Sequence, residues 1–126
     1  MFAAPAGSIP GSHSTPASRG QEVVIYGTGL GLVDAVINGL LFDGYPAPSN
    51  PVANTLTKPT VTFGGIAGQV LFSGLAPGFV GLNQINVNVP SNAPTGNAVK
   101  VEITMVDTTV TPNQKYVSNT VTMAIQ

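Results

Sequence analysis

His13 is the chain's one histidine, and it lies in the Pro/Ser/Gly-rich opening MFAAPAGSIPGSHSTP. A catalytic triad or a zinc site needs an imidazole held by packing and by a second hydrogen-bond partner. His13 therefore reads as a solvated residue of a lead-in. Asp34 and Asp43 are the carboxylates that could join backbone carbonyls around Ca²⁺, which takes about six to eight oxygens. They form no loop motif, and Asp is common as a cap or turn former. Gly27-Thr28-Gly29-Leu30-Gly31 follows an apolar run and contains G-x-G. A dinucleotide fingerprint would need its third glycine elsewhere, a βαβ unit and an acidic residue on a second parallel strand, so a turn with positive φ is the better reading. Lys100 and Asn119 could in principle condense to an isopeptide bond. That reaction needs a buried, neutral lysine beside a buried acid, whereas alternation places Lys100 with Glu102 and Thr104, towards water.

The rest of the chain offers still less to chemistry. From Pro59 to Val99 no residue carries charge, and Gly, Pro, Asn, Gln and Thr interrupt the apolar residues every few positions. Acid–base catalysis, metal capture and phosphate binding all need ionisable or strongly coordinating side chains. No catalytic residue, cofactor or metal is therefore expected. Charged residues make up 7% of the chain, against roughly 25% in an average soluble protein. Arg19, Lys58, Lys100 and Lys115 are scattered and the net charge is −1. Nucleic acid, which requires a clustered basic face, and anionic membrane surfaces are excluded as partners. No run reaches the roughly 20 apolar residues of a membrane-spanning helix, so no membrane insertion is expected.

Residues 1–20 lack the basic and apolar regions of a secretory signal and read as an extended lead-in or linker, cut ahead of a domain at 21–126. With 126 residues, the chain is large enough to bury one core without a metal or disulfide. Glu22–Tyr26 is the first strand signal. Between 32 and 59 the pattern becomes irregular. Val33, Val36, Ile37, Leu40 and Leu41 recur at helical spacing, Gly39 argues against a long helix, and Pro46, Pro48, Pro51 and Pro59 follow.

From Thr60 the period is two. Val61 and Phe63 precede Gly64-Gly65, and Gln69–Phe72 is the expected return strand of a hairpin. Leu75, Phe79 and Val80 are expected to tuck under a sheet end. Ile85, Val87 and Val89 alternate with Gln84, Asn86 and Asn88; Val99, Val101, Ile103 and Met105 form the next inward row, and Val117, Val121, Met123 and Ile125 the last, broken near Asn119 as by a bulge. Six or seven short strands without βα alternation predict an all-β, immunoglobulin-like antiparallel β-sandwich. Cysteine and tryptophan are both absent, so aliphatic packing must fill its core.

Several motifs carry a resemblance: Ile25–Gly31, Val61-Thr62-Phe63-Gly64-Gly65-Ile66, Val70–Leu82, Gln84–Pro90 and Ser118–Gln126. Their order and spacing resemble the C-terminal domain of large uncharacterised proteins of Solibacter and other Acidobacteria, and more loosely the IPT/TIG immunoglobulin-like domains. The resemblance implies a last module of a long exported protein with no assigned catalytic residues. The chain departs from that pattern at Arg19-Gly20, where Pro-Gly is usual, and in a longer Asp107–Lys115 segment.

The expected function is a non-enzymatic structural or interaction module at the C-terminus of a larger exported or cell-envelope protein. Its partners would be neighbouring domains of the parent protein or another protein chain. The expected contact surface is the apolar insertion at Leu40, Leu41, Phe42 and Tyr45, where serine at Leu41 and Phe42 should leave folding intact. The alternative is a carbohydrate- or polymer-binding domain, since Thr, Asn and Gln with Tyr26, Tyr45 or Tyr116 can hydrogen-bond and stack on polysaccharide.

Overall fold

The structure is a computed structural model that describes residues 1–37, 39, 41–108 and 110–126. In chain order the strands are Phe2–Ala3 (β1), Ser14–Thr15 (β2), Glu22–Gly27 (β3), Thr60–Phe63 (β4), Ile66–Ala67 (β5), Gln69–Leu75 (β6), Asn83–Asn88 (β7), Gly96–Asp107 (β8), Gln114–Val117 (β9) and Val121–Ile125 (β10). One helical turn, Asp34–Ile37 (α1), lies between β3 and β4. One antiparallel sheet runs β3–β7–β6; the other runs β10–β8–β4–β5, with β9 also on β8. This is the immunoglobulin-like sandwich that the alternating sequence predicts.

Val61 and Phe63 from one sheet meet Ile85, Val87 and Val89 from the other, and all five are fully or almost fully buried. Each such side chain contributes about 1.5–3 kcal/mol by leaving water. No tryptophan or disulfide is needed, because β-branched side chains at every second position interlock across the gap.

The return strand of the β4 hairpin is not Gln69–Phe72. Gly64 and Gly65, with φ of 58° and 87°, make the two-residue turn, and Ile66–Ala67 alone pairs back on β4. The chain then changes sheets at Gly68, and Gln69–Leu75 pairs with β7 instead. A Cβ on Gly68 would stand 2.6 Å from the Asn88 carbonyl oxygen and 2.8 Å from both Phe63 and Val87. The crossing is only passable without a side chain.

β9 and β10 behave as one strand with a bulge. Val117 faces Thr104 and Val121 faces Val101, so four steps on one strand span three on the other. Ser118 repairs the ladder there: its N–H donates to the Ile103 carbonyl at 2.8 Å, and its Oγ accepts the Ile103 N–H at 2.9 Å. The irregularity expected near Asn119 is thus explained.

Three expectations need correction. Residues 1–20 are not a free linker: the Ala17 N–H donates to the Ala124 carbonyl at 2.9 Å, Ala17 is buried in the main core, and Ala3 packs against that core. Phe79 and Val80 are exposed rather than tucked under the sheet. Val33 and Leu41 are buried while Val36 is exposed, so the apolar spacing there is not one helix face; α1 is a single turn, and Gly39 follows it with φ of 70°.

The sheet crossing gives a direct test. Gly68→Ala is expected to lower unfolding free energy by about 2–3 kcal/mol, the scale of an overpacked core, measured by urea titration. Gly27→Ala supplies the comparison, since Gly27 has no positive φ and a Cβ there has no neighbour within 4 Å.

Candidate functional site

The ionisable residues singled out by the sequence do not converge. His13 is exposed, and its backbone carbonyl accepts the Phe2 N–H. Asp43 is exposed on the insertion. Asp34 is instead a structural clamp: Oδ1 accepts the Asn54 N–H at 2.9 Å, Oδ2 accepts from Asn54 Nδ2 at 3.1 Å, and the Asp34 N–H donates to the Asn54 carbonyl at 2.9 Å. The side-chain bond from Asn54 is the main reason that the Asp34 carboxyl is held below its ordinary pKa. Lys100 is exposed and faces Thr122 across the ladder, not Asn119. Among the described residues, no three His, Asp or Glu side chains gather where they could hold a metal ion.

Gly27–Gly31 serves the fold. Gly29 and Gly31 both have φ of 84°, and between them Leu30 turns into the main core. The Leu30 N–H donates to Oδ1 of the buried Asn83 at 3.2 Å. Neither a phosphate cradle nor a following long helix is formed; the next helix is the four-residue α1.

The apolar insertion divides in two. Leu41 is 8% exposed and packs in a small second core with Val33, Ala35 and Ala53, against Leu75 of β6. It is therefore not part of an exposed contact surface. Phe42 and Tyr45 are 66% and 65% exposed, with ring centroids 6.2 Å apart at 67°. These two rings form an edge-to-face pair on the surface. Leu40 lies outside the described residues.

A second surface escapes the sequence pattern. Between the sheets, at the β3 and β9 side, a cleft of about 680 Å³ reaches the buried floor residues Ile85 and Val101. Ile25, Ile103, Met105 and Tyr116 face into it from the walls, and Tyr26 and Val117 border it from strand positions whose side chains face outward. The alternation predicts Val117 on the inward row, but the bulge reverses the parity: Val117 pairs with Thr104 on the outer face and is 55% exposed, while Tyr116, opposite Met105, takes the inward side. β3 is the last strand of its sheet, so what faces Tyr116 across the gap is the cleft.

The IPT/TIG domain family matches residues 9–123, nearly the whole sandwich and part of the lead-in. The chain belongs to the IPT/TIG family. No curated protein matches it, and no solved structure does. IPT/TIG domains are immunoglobulin-like modules, in general non-catalytic, that often mediate interactions. In this IPT/TIG domain no helix among the described residues is long and apolar enough to cross a membrane.

Two measurements separate structural residues from surface residues in this IPT/TIG domain. Leu41→Ser is expected to cost about 2–4 kcal/mol, the range for emptying a buried leucine site, while Phe42→Ser changes stability by no more than about 0.5 kcal/mol; urea unfolding reads both. For Asp34, the lowered folded pKa means that its stabilisation is full above the unfolded value of 3.8 and is lost as pH falls through the folded value. Stability of the parent domain should therefore fall more steeply below about pH 4 than stability of Asp34→Asn, as followed by thermal melts across that range.

Proposed function

We propose that the domain is a non-enzymatic structural and interaction module, the C-terminal part of a larger exported or cell-envelope protein. Its work is passive: a rigid sandwich presents surface to a neighbouring domain or another chain. The observation that carries this reading is the contrast on its surface. Ionisable groups are few and dispersed, while Phe42 and Tyr45 form an exposed aromatic pair and an apolar cleft opens between the sheets. Exposed apolar patches mark interaction sites on soluble domains, and aromatic anchors dominate their energetics. Placement in a long exported protein is supported by the resemblance of the strand motifs to the Acidobacterial C-terminal domains.

A second reading, polysaccharide binding, draws on the outer face of the β3–β7–β6 sheet. Tyr26 pairs with Gln84 across β3 and β7; Gln84 Nε2 donates to Asn86 Oδ1 at 2.8 Å, and Asn86 Nδ2 donates to Glu22 Oε1 at 2.8 Å. An exposed ring beside a row of oriented amides is a surface on which a sugar ring could stack. It is flat, however, and sugar sites are usually concave. The interaction reading is therefore preferred.

Limited proteolysis of the natural full-length polypeptide discriminates between them. Serine at both Phe42 and Tyr45 should leave the isolated domain stable yet speed cleavage at its junction with the neighbour it contacts. Unchanged digestion would remove this aromatic pair as the contact. Retention on a polysaccharide column, lost in Tyr26→Ala, would favour the second reading.

A further inference from the structure

The sheet edges of this sandwich are treated unequally. β5 is only two residues long. β6 is covered by the insertion, where the Leu75 N–H donates to the Ala53 carbonyl and the Thr55 N–H to the Ser73 carbonyl, both at 2.9 Å. β10 is covered by Ala17, which lies parallel to Ile125, donates to Ala124 and accepts the Gln126 N–H at 2.8 Å. The outer edge of β3 differs. Glu22–Gly27 pairs with β7 in unbroken register on one side and has no backbone partner on the other among the described residues. It contains no proline, lysine or bulge, the devices that normally blunt an open edge.

This unprotected edge borders the inter-sheet cleft, since Ile25, Tyr26 and Gly27 of β3 line it. We propose that the cleft is a receptor for an extended, uncharged segment of a partner polypeptide, which adds as a strand to the free edge of β3 and inserts alternate aliphatic side chains between the sheets against Ile103, Met105 and Tyr116. The proposal rests on the interaction-module reading and gives it a partner chemistry.

A strand satisfies both halves of the site at once. Its backbone answers the unpaired N–H and C=O groups of β3, and its period of two sends every second side chain into the gap. The six residues of β3 span about 20 Å, enough for about three inserted side chains. The aliphatic walls select apolar side chains. Among the described lining residues Asp107 is the single Asp, Glu, Lys, Arg or His, so a charged side chain would enter the cleft at a desolvation cost. The chain already uses this mode of closure next door: Ala17 adds to the β10 edge and places its methyl in the same core, and the turn at Ser18–Gln21 then leads into β3.

The test uses the full chain, isotopically labelled, and a synthetic peptide of alternating threonine and isoleucine or valine, about eight residues long. Saturable NMR shifts and slowed amide exchange are expected along β3, with shifts of the Ile103 and Met105 methyls and of the Tyr116 ring. Affinity should fall at least tenfold when the peptide backbone is N-methylated at alternate residues, and at least tenfold in Tyr116→Arg. Thermal melting of that variant must match the parent; Tyr116→Phe, which keeps the ring and the neutral charge, should bind within about threefold of the parent. No binding by the parent chain overturns the proposal. So does equal binding of the N-methylated peptide, which would mark a site for small apolar molecules, or sedimentation of the chain alone as a dimer with β3 amides protected, which would make the occupant a second copy. Changes in junction cleavage at Phe42 and Tyr45 are independent of these outcomes, so the two readings can fail separately.

Discussion

Everything in this domain depends on the contact of Phe63 with Val87 beneath Gly68. At that point the two sheets lie against each other and the chain passes from one to the other, with no room for even a methyl group. Strands β4 and β5 end one sheet's hairpin there, and β6 begins the other sheet one residue later. Because interiors are close-packed, the crossing fixes the separation of the sheets. It also sets the register in which Val61 and Phe63 face Ile85, Val87 and Val89.

The period of two was enough to reveal the strands on either side of that contact, since a half-buried strand must show its burial at every second residue. Thr60–Phe63 and Asn83–Asn88 could be read directly, as could the inward row Val99, Val101, Ile103 and Met105. Partner choice was not legible. Ile66–Ala67 is too short to show a period, and Gly68 reads as one more turn residue, so a simple hairpin to Gln69–Phe72 was the natural but incorrect inference. Depth was equally hidden in the insertion. Leu41 and Phe42 are adjacent apolar residues, and only the packing of Val33, Ala35 and Ala53 decides that one is core and the other surface. Ala17 shows the opposite failure: backbone pairing to β10 carries a small residue of a Pro/Ser-rich segment into the core, which no hydrophobic pattern announces.

The scarce polar groups with defined partners serve the backbone. Asp34 and Asn54 tie α1 to the far end of the insertion, Asn83 holds the Leu30 turn, and Ser118 carries the ladder through the bulge. Thr55 Oγ1 donates to Oγ of the buried Ser73 at 2.9 Å, joining the insertion to β6. Among the described residues no buried side-chain polar atom is left without a partner. A buried polar group costs stability unless it is hydrogen-bonded, and here the groups that meet that condition are those that hold loops to strands. Asp34, the one candidate ligand that meets it, is thereby committed to architecture.

The inequality of the two sheets follows from the same economy of polar groups. One sheet ends at β3, while the other continues over β8 into the bulged β9–β10 edge, so inward side chains at Tyr116 and Val121 lie beside a gap rather than beneath a strand. A domain with abundant charge could have set lysines along such an edge to keep it solvated and unpaired. This chain has four basic residues in all, and none stands on β3. An edge left regular and without basic residues beside an apolar slot retains strand-pairing capacity, whereas β5, β6 and β10 are shortened or covered by the chain itself. The distribution of covering, more than any single residue, distinguishes the β3 side as the face through which this IPT/TIG domain can engage another polypeptide.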